Sequence, residues 1–215
     1  MPPSPFPAPR TDRSTEPVLG WRAWRLVRTE RGELRIAPAT PRRPWEPGEV
    51  QRATCSGAHT RLYLVFNPEL APTHRSPEPG CTCGFHAVKD PARLARAGRG
   101  VGVLGQVAMW GRVIEHTLGW RSEFAYPARL RLVCARCLWW GSLPAIPERV
   151  VERDRALIPV CAAHARRGGG RSLPAGPVEA ELLDTYRVEL APVEALPAGA
   201  RPDPLTWVLR ALRPR

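Results

Sequence analysis

The chain has 215 residues, which is enough to bury a hydrophobic core as one domain with extensions or as two small domains. Its 26 prolines and 18 glycines predict that part of it is irregular, and its formal charge of +12 comes almost entirely from arginine. No run of about 18 apolar residues is present, which excludes a membrane-spanning helix. Residues 1–17 lack the apolar core and cleavage pattern of a secretory signal, so we expect a cytoplasmic protein with reduced thiols.

The basic composition has two interpretations. Lys89 is the only lysine, and the arginines occur together with abundant alanine, proline and glycine. A basic surface attracts polyanions such as nucleic acid. The same composition is typical of a G+C-rich genome, in which the arginines would coat a solvated surface. No dense arginine block separates these two interpretations.

The first third of the chain predicts a disordered arm followed by strands. Residues 1–17 are rich in proline and polar side chains. Residues 21–27 and 33–37 have strand character, and Glu30-Arg31-Gly32 between them predicts a hairpin. Aromatic and β-branched residues at 61–67 predict a further strand.

The middle of the chain predicts a helix and then two long strands. Asp90 is a candidate N-cap with Pro91 at the first helical position, and Gly98 is the expected end of that helix. Residues 101–114 are rich in valine, and residues 124–133 alternate between apolar and basic side chains. Glycines within the first strand mark bulges, bends or close backbone approach: Gly102, Gly105 and Gly111.

The last third predicts helices separated by a flexible break. Residues 146–156 predict a short helix, and 166–170 are the glycine-rich break. Residues 176–190 and 203–215 predict two further helices. The last helix has one apolar face, formed by Leu205, Val208, Leu209 and Leu212.

Together these elements predict an α+β fold. We expect a small bent β-barrel or half-barrel with short helices, two zinc knuckle modules and a C-terminal helical tail. The expected organisation is a disordered arm at 1–17, a β-rich domain with the first zinc site at 18–130, a zinc-ribbon-like module at 131–167, and the break with the C-terminal helices at 168–215.

The stronger of two Cys/His clusters combines Cys134-x-x-Cys137 with Cys161-x-x-His164. Two residues between ligands allow a tight turn to direct both side chains at one ion. Three thiolates and one imidazole are a typical tetrahedral zinc set, and four protein ligands close the site. The sequence therefore predicts a structural zinc site here, which would stabilise folding.

The weaker cluster contains Cys81 and Cys83, which lie on one side of an extended chain. Gly84 permits the turn that would bring both thiolates to one metal. Cys55 is the remaining cysteine, and spacing alone leaves the fourth ligand open. The candidates for it are His59, His74 and His86. The alternative, a redox pair of Cys81 and Cys83, is disfavoured because a Cys-x-Cys bridge is strained.

Several motifs in this order resemble a family of small, uncharacterised Cys/His-rich proteins from G+C-rich Gram-positive bacteria. They lie at 20–26, 45–48, 74–87 and 110–127, and the resemblance covers roughly residues 20–165. It implies that the histidine before Cys-x-Cys-Gly is the ligand, which gives the set Cys55, His74, Cys81 and Cys83. Met109, where the family pattern has a β-branched residue, is a minor departure. The resemblance implies no activity.

Tryptophans and arginines interleave along the chain, which is typical of surfaces that stack and neutralise single-stranded nucleic acid. The tryptophans are Trp21, Trp24, Trp110, Trp120, Trp139 and Trp140, and the arginines are Arg22, Arg25, Arg112, Arg121 and Arg136. The alternative interpretation is that the tryptophans fill the protein core and the arginines surround it at the surface. The segment Gly119–Glu123 is the one we most expect near a ligand. The predicted binding residues are Arg112, His116, Trp120, Arg121 and Glu123.

We therefore expect a zinc-stabilised binding protein whose partner is nucleic acid. The alternative is a protein–protein adaptor that uses the proline-rich arm and the helix at 203–215. A less favoured alternative is an enzyme with a pocket at Glu115, His116, Arg121 and Glu123. Adjacent strand residues point to opposite faces, so Glu115 and His116 are not expected to share a pocket.

Overall fold

A computed structural model of the chain describes residues 10–40, 43–55, 74–141, 145–166 and 170–192. The strands are β1 (Arg10–Arg28), β2 (Leu34–Pro38), β3 (Gln51–Arg52), β4 (Phe85–Val88), β5 (Val101–His116), β6 (Gly119–Leu132), β7 (Arg149–Arg153), β8 (Ala156–Val160), β9 (Ser172–Pro174) and β10 (Glu189–Leu190). The helices are a 3-10 turn (Pro91–Leu94), α1 (Ala135–Trp140), α2 (Ala162–Ala165) and α3 (Ala175–Tyr186).

The described strands form a sheet in the order β10-β6-β4-β1-β8-β7-β9, with β2, β3 and β5 paired to strands of this series. The pairs β1–β2, β4–β6 and β7–β8 are antiparallel, whereas β10 joins β6 in parallel. A mostly antiparallel sheet with short helices establishes the α+β class. The bent barrel stays a prediction.

Backbone contacts divide the chain into two compact units. Unit 1 comprises 1–20, 50–89 and 107–126, and unit 2 comprises 21–49, 90–106 and 127–215. Each unit contains one of the two Cys/His clusters.

The predicted hairpin of β1 and β2 is confirmed, and it forms part of the core of unit 2. Leu26 lies opposite Ile36, and Gly32 at the turn has a φ of 82°. Trp24 and Trp45 are buried and meet edge to face with ring centroids 5.6 Å apart. These tryptophans therefore belong to the core and are not available to a ligand.

The predicted helix at 146–156 is wrong, because this segment forms the β7–β8 hairpin. Val150 and Val151 are buried β-branched residues, which favour a strand. Asp154 and Arg155 form the connection, and Asp154 has a φ of 53°, a conformation that aspartate tolerates better than most residues. The pairing of β7 with β8 decides the structure of this segment.

Three other predictions change at their boundaries. The helix predicted after Asp90 begins as expected, with the Asp90 carboxylate accepting from Ala92 N at 2.9 Å, but it ends as a 3-10 turn at Leu94. Helix α3 is confirmed but ends at Tyr186, because Arg187 adopts a φ of 52°. Strand β1 begins at Arg10, so the second half of the predicted arm is strand.

Some predictions lie outside the described residues: the rest of the arm at 1–9, the strand at 61–67, most of the break at 166–170 and the helix at 203–215. None of the helices within the described part of the chain is long and apolar enough to span a bilayer.

Candidate functional site

The second centre, in unit 2, brings together Cys134, Cys137, Cys161 and His164, whose ligand atoms all lie within 4.8 Å of one another. His164 Nδ1 is 3.3 Å, 3.6 Å and 3.4 Å from the sulfurs of Cys134, Cys137 and Cys161, respectively. The sulfurs of Cys137 and Cys161 are 4.0 Å apart. A tetrahedral ion with the usual metal–sulfur and metal–nitrogen bonds places its ligand atoms about 3.6–3.8 Å apart. The cluster therefore has the dimensions of a four-ligand metal site.

Two short helices position these ligands. Cys134 is the N-cap of α1 and Cys137 lies in its first turn, while Cys161 is the N-cap of α2 and His164 lies in that helix. A separation of three residues places both side chains of each pair on one helix face. The chain folds this way locally because the carbonyls of Cys134 and Cys161 accept backbone hydrogen bonds at 3.0 and 2.9 Å.

The thiols of the second centre differ in their electrostatic surroundings. Burial raises the pKa of Cys137 to about 12, so this thiol is protonated at neutral pH without a cation. Burial also acts to raise the pKa of Cys161, but hydrogen bonds from the His164 backbone and the neighbouring thiols outweigh it and lower that pKa. A bound divalent cation deprotonates its coordinating thiols. The cluster could therefore hold a metal ion.

The first centre, in unit 1, brings together Cys55, His74, Cys81 and Cys83, again within 4.8 Å of one another. The sulfurs of Cys55 and Cys81 are 3.7 Å apart, and Cys83 Sγ lies 3.5 Å from His74 Nε2. These values also match the edges of a tetrahedral site, about 3.6–3.8 Å. Burial acts to raise the pKa of Cys81, but hydrogen bonds from Cys83 and Cys55 outweigh it and lower the pKa.

The local chain explains why these four residues meet. Cys55 follows β3, whose neighbour Ala53 donates to Glu123 O at 2.7 Å. The Cys-x-Cys loop leads into β4 through Gly84, which has a φ of 119° and whose missing Cβ would lie 3.1 Å from Pro77 Cβ. The backbone conformation therefore favours glycine, and a Cβ at this position would be tightly packed.

Of the described candidate histidines, His74 is the one that lies in the cluster. His74 lies in the cluster, whereas His86 is exposed and its Nε2 lies 2.8 Å from Thr82 O. His59 lies outside the described residues. The set implied by the family resemblance is the set that the structure brings together.

Two of the predicted binding residues are buried inside unit 1. Arg121 and Glu123 are each 5% exposed. Arg121 Nε donates to His116 Nε2 at 2.8 Å, and Glu123 accepts from Arg75 at 2.7 Å. Burial acts to raise the pKa of Glu123, but Arg75 outweighs it and lowers the pKa. These groups stabilise unit 1 and are not presented to a large ligand.

The other predicted binding residues are also engaged within unit 1. Arg112 Nη1 donates to Glu78 at 3.0 Å, and the Lys89 ammonium lies 5.3 Å from the Trp120 ring centroid. Lys89 also pairs with Glu115. Glu115 therefore lies on the same side of the sheet as Trp120, whereas His116 contacts Arg121. Glu115 and His116 thus lie on opposite faces of the strand, as strand alternation predicts.

The sequence analysis missed a basic pocket in unit 2, with a volume of about 410 Å³. Its walls come from helix α1, the β7–β8 hairpin and the turn before β5. The residues that matter chemically are Arg99, Arg136, Arg153, Trp139, Trp140 and Ile158, which we call the Arg/Trp pocket. Trp140 is 52% exposed, and the Arg99 guanidinium lies 5.5 Å from the Trp139 ring centroid. The feature of the sequence that pointed to this pocket is the pair Trp139 and Trp140, shortly after Cys137. The predicted binding residues did not include either tryptophan.

The described part of the chain places no carboxylate beside the charges of the Arg/Trp pocket. No acidic side chain is among its described lining residues, and within the described ranges none of its three arginines pairs with a carboxylate. Seven other arginines do form such pairs: Arg28, Arg35, Arg52, Arg75, Arg112, Arg129 and Arg155. Among the described residues, the pocket is thus a local concentration of arginines without carboxylate partners, beside an exposed indole.

Comparison of the chain with known protein families, curated proteins and solved structures found no match. The resemblance to the Cys/His-rich bacterial family stays a prediction. The chemistry of the two centres and of the Arg/Trp pocket is the basis for assigning a function.

Proposed function

We propose that this chain is a zinc-stabilised protein that binds single-stranded nucleic acid at the Arg/Trp pocket. The observation that carries the proposal is the pocket itself: three arginines without carboxylate partners among the described residues, next to two tryptophans. Phosphates are neutralised by arginine, and unpaired bases stack on aromatic side chains. Double-stranded nucleic acid offers phosphates but no free base faces.

Zinc is the metal that best suits both centres. Each centre supplies three sulfurs and one imidazole nitrogen, and thiolates favour zinc, copper(I) or iron–sulfur chemistry over magnesium or calcium. A tetrahedral S₃N set is typical of structural zinc. With four protein ligands no position remains for a substrate, so we assign both centres to folding, in a cytoplasm where thiols stay reduced. The zinc-ribbon-like character of the second centre is part of the proposal.

The pocket has the dimensions and chemistry for a nucleotide unit. A volume of about 410 Å³ lies within the range of small-molecule sites. Arg99 already covers one face of Trp139, so the half-exposed Trp140 is the stacking platform. Arg136 and Arg153 would then meet the flanking phosphates.

Trp140 provides the test of the proposal. We expect Trp140→Ala to weaken binding of a fluorescently labelled dT15 oligonucleotide about 5- to 100-fold, because one stacked base contributes about 1–3 kcal/mol. Fluorescence anisotropy at a fixed low salt concentration measures the change. Trp140→Phe should retain most of the affinity, since it keeps an aromatic face.

Leu118→Ala is the matched control, because Leu118 is similarly exposed at 49% but belongs to unit 1. It should bind like the parent chain. Equal affinity of Trp140→Ala and the parent chain, or no binding of dT15 by the parent chain at low salt, would contradict the proposed function.

A further inference from the structure

The guanidinium of Arg121 is buried against the loop that carries the first metal centre. Arg121 is only 5% exposed, and its Nη1 donates to the carbonyl oxygen of Cys81 and, at 3.1 Å, to that of Cys83. The carbonyl of Glu78 lies 3.5 Å from the same nitrogen. One side chain therefore joins the backbone on both sides of the Cys-x-Cys turn.

Within the described ranges, this buried charge has no carboxylate partner. Among the described residues, no carboxylate oxygen lies within 4.0 Å of an Arg121 nitrogen, and the nearby Glu123 pairs instead with Arg75 and Arg52. The remaining contact of Arg121 is His116, whose Nε2 accepts from Nε at 2.8 Å and is therefore unprotonated. A buried charge is costly unless an opposite charge or several hydrogen bonds compensate it.

The first centre supplies the missing negative charge once it holds a divalent ion. Three thiolates and one neutral imidazole around such an ion leave one net negative charge on the cluster. The hydrogen bonds to Cys81 O and Cys83 O place the guanidinium directly beside two of the three thiolate residues. The metal cluster and the arginine thus compensate each other in a partly buried site, where such interactions are stronger than in water.

We propose that Arg121 is the positioning and charge-balancing residue of the first metal centre. Its Nη1 group fixes the carbonyls of the Cys-x-Cys loop so that both sulfurs converge, and its charge offsets the anionic metal–thiolate cluster. The proposal rests on the zinc assignment made above. It gives a role to the one predicted binding residue that is buried and charged without a carboxylate partner among the described residues.

Zinc retention at each centre tests this role. The full-length chain is loaded with zinc and titrated with a chelator of known zinc affinity, and native mass spectrometry counts chains with two, one or no zinc ions. Cys81→Ser and Cys134→Ser assign each loss to a centre. We expect Arg121→Met to lower the zinc affinity of the first centre about 10- to 100-fold, as is usual for residues that support metal ligands, and to leave the second centre unchanged.

Two further variants separate this role from a general packing effect. Arg121→Lys keeps the charge, so it should retain much of the zinc affinity of the first centre. It also provides the test if Arg121→Met does not fold. Arg112→Met is the matched control, because Arg112 contacts the same loop through Pro77 O and Glu78 but is paired with a carboxylate. It should retain the parent affinity within about threefold, since its charge is already compensated.

The outcomes are distinguishable. Unchanged first-centre affinity in Arg121→Met overturns the proposal, as does an equal loss at both centres or an equal loss in Arg112→Met. A lysine variant as weak as the methionine variant overturns the charge-balancing part. A parent chain that never binds zinc at the first centre shows instead that the zinc assignment itself fails.

Discussion

Replacing Cys134 with serine is expected to remove one of two zinc ions and to reduce binding of single-stranded oligonucleotide about 100-fold or more. Cys134 caps helix α1, which carries Arg136, Trp139 and Trp140 of the Arg/Trp pocket. A structural zinc site can contribute on the order of 10 kcal/mol to the folding of a small module. Without that ion, α1 and the β7–β8 hairpin lose the link that holds the pocket walls together.

The buried surroundings of the second centre strengthen this expectation. Cys134 and Cys137 pack with Val151 and Val160 from the hairpin, so the metal ligands are also part of a hydrophobic cluster. Loss of the ion leaves the Cys137 thiol in this cluster, where burial raises its pKa to about 12. The zinc count and the anisotropy of labelled dT15 are measured on the same preparation.

Cys81→Ser is the matched control for Cys134→Ser. It removes one ligand from the first centre, and all the pocket residues belong to unit 2. We expect it to lose one zinc ion and to keep oligonucleotide affinity within about threefold of the parent chain. If Cys81→Ser loses affinity as severely as Cys134→Ser, or if Cys134→Ser still binds like the parent, the pocket does not depend on the second centre.

Neutralising the pocket arginines is the second change with a large expected effect. We expect the triple variant of Arg99→Gln, Arg136→Gln and Arg153→Gln to bind dT15 at least about 1000-fold more weakly at low salt, because each hydrogen bond to a charged group contributes about 1.5–3 kcal/mol. For the parent chain, three phosphate contacts predict that the logarithm of affinity falls with the logarithm of salt concentration with a slope of about −2. The triple variant should have a slope near zero.

A triple variant of equal charge controls for the net charge of the protein. Arg28→Gln, Arg129→Gln and Arg155→Gln remove the same number of charges, but each of these arginines already pairs with a glutamate. This variant should retain most of the affinity and the parental salt slope. An equal loss in both triple variants would mean that binding reflects overall charge and that the pocket has no special part in it.

The two Cys/His clusters could be predicted because the spacing of their residues reflects the local backbone geometry. Cys134-x-x-Cys137 and Cys161-x-x-His164 each span a single helical turn, so the short-range pattern contains most of the information. Cys81 and Cys83 were also recognisable next to Gly84. The choice of His74 came from a family resemblance, since spacing alone allowed other histidines.

The hairpin at residues 149–160 could not be predicted from local pattern. Val150 and Val151 favour a strand, but the charged residues around them fit the spacing of a helix equally well. Pairing of Val151 with both Ile158 and Ser172 decides the structure, and these contacts are made only in the folded chain. Burial and pairing outweigh the weak intrinsic preference of a short segment.

The Arg/Trp pocket was missed for a similar reason. Arg99, Trp140 and Arg153 come from three separate segments that meet only in the fold. The sequence indicated an excess of arginine and tryptophan but not which of them remain accessible. Burial removed Trp24 and Arg121 from the candidates, and an ion pair neutralised Arg112.

The most direct test of the whole account is the number of zinc ions bound by each chain after purification without added metal. Inductively coupled plasma mass spectrometry, combined with an accurate protein concentration, gives this ratio. We expect two zinc ions in the parent chain and one in each of the Cys81→Ser and Cys134→Ser variants, one for each four-ligand cluster. A folded parent chain with no bound metal, or a ratio that neither substitution changes, would contradict the account.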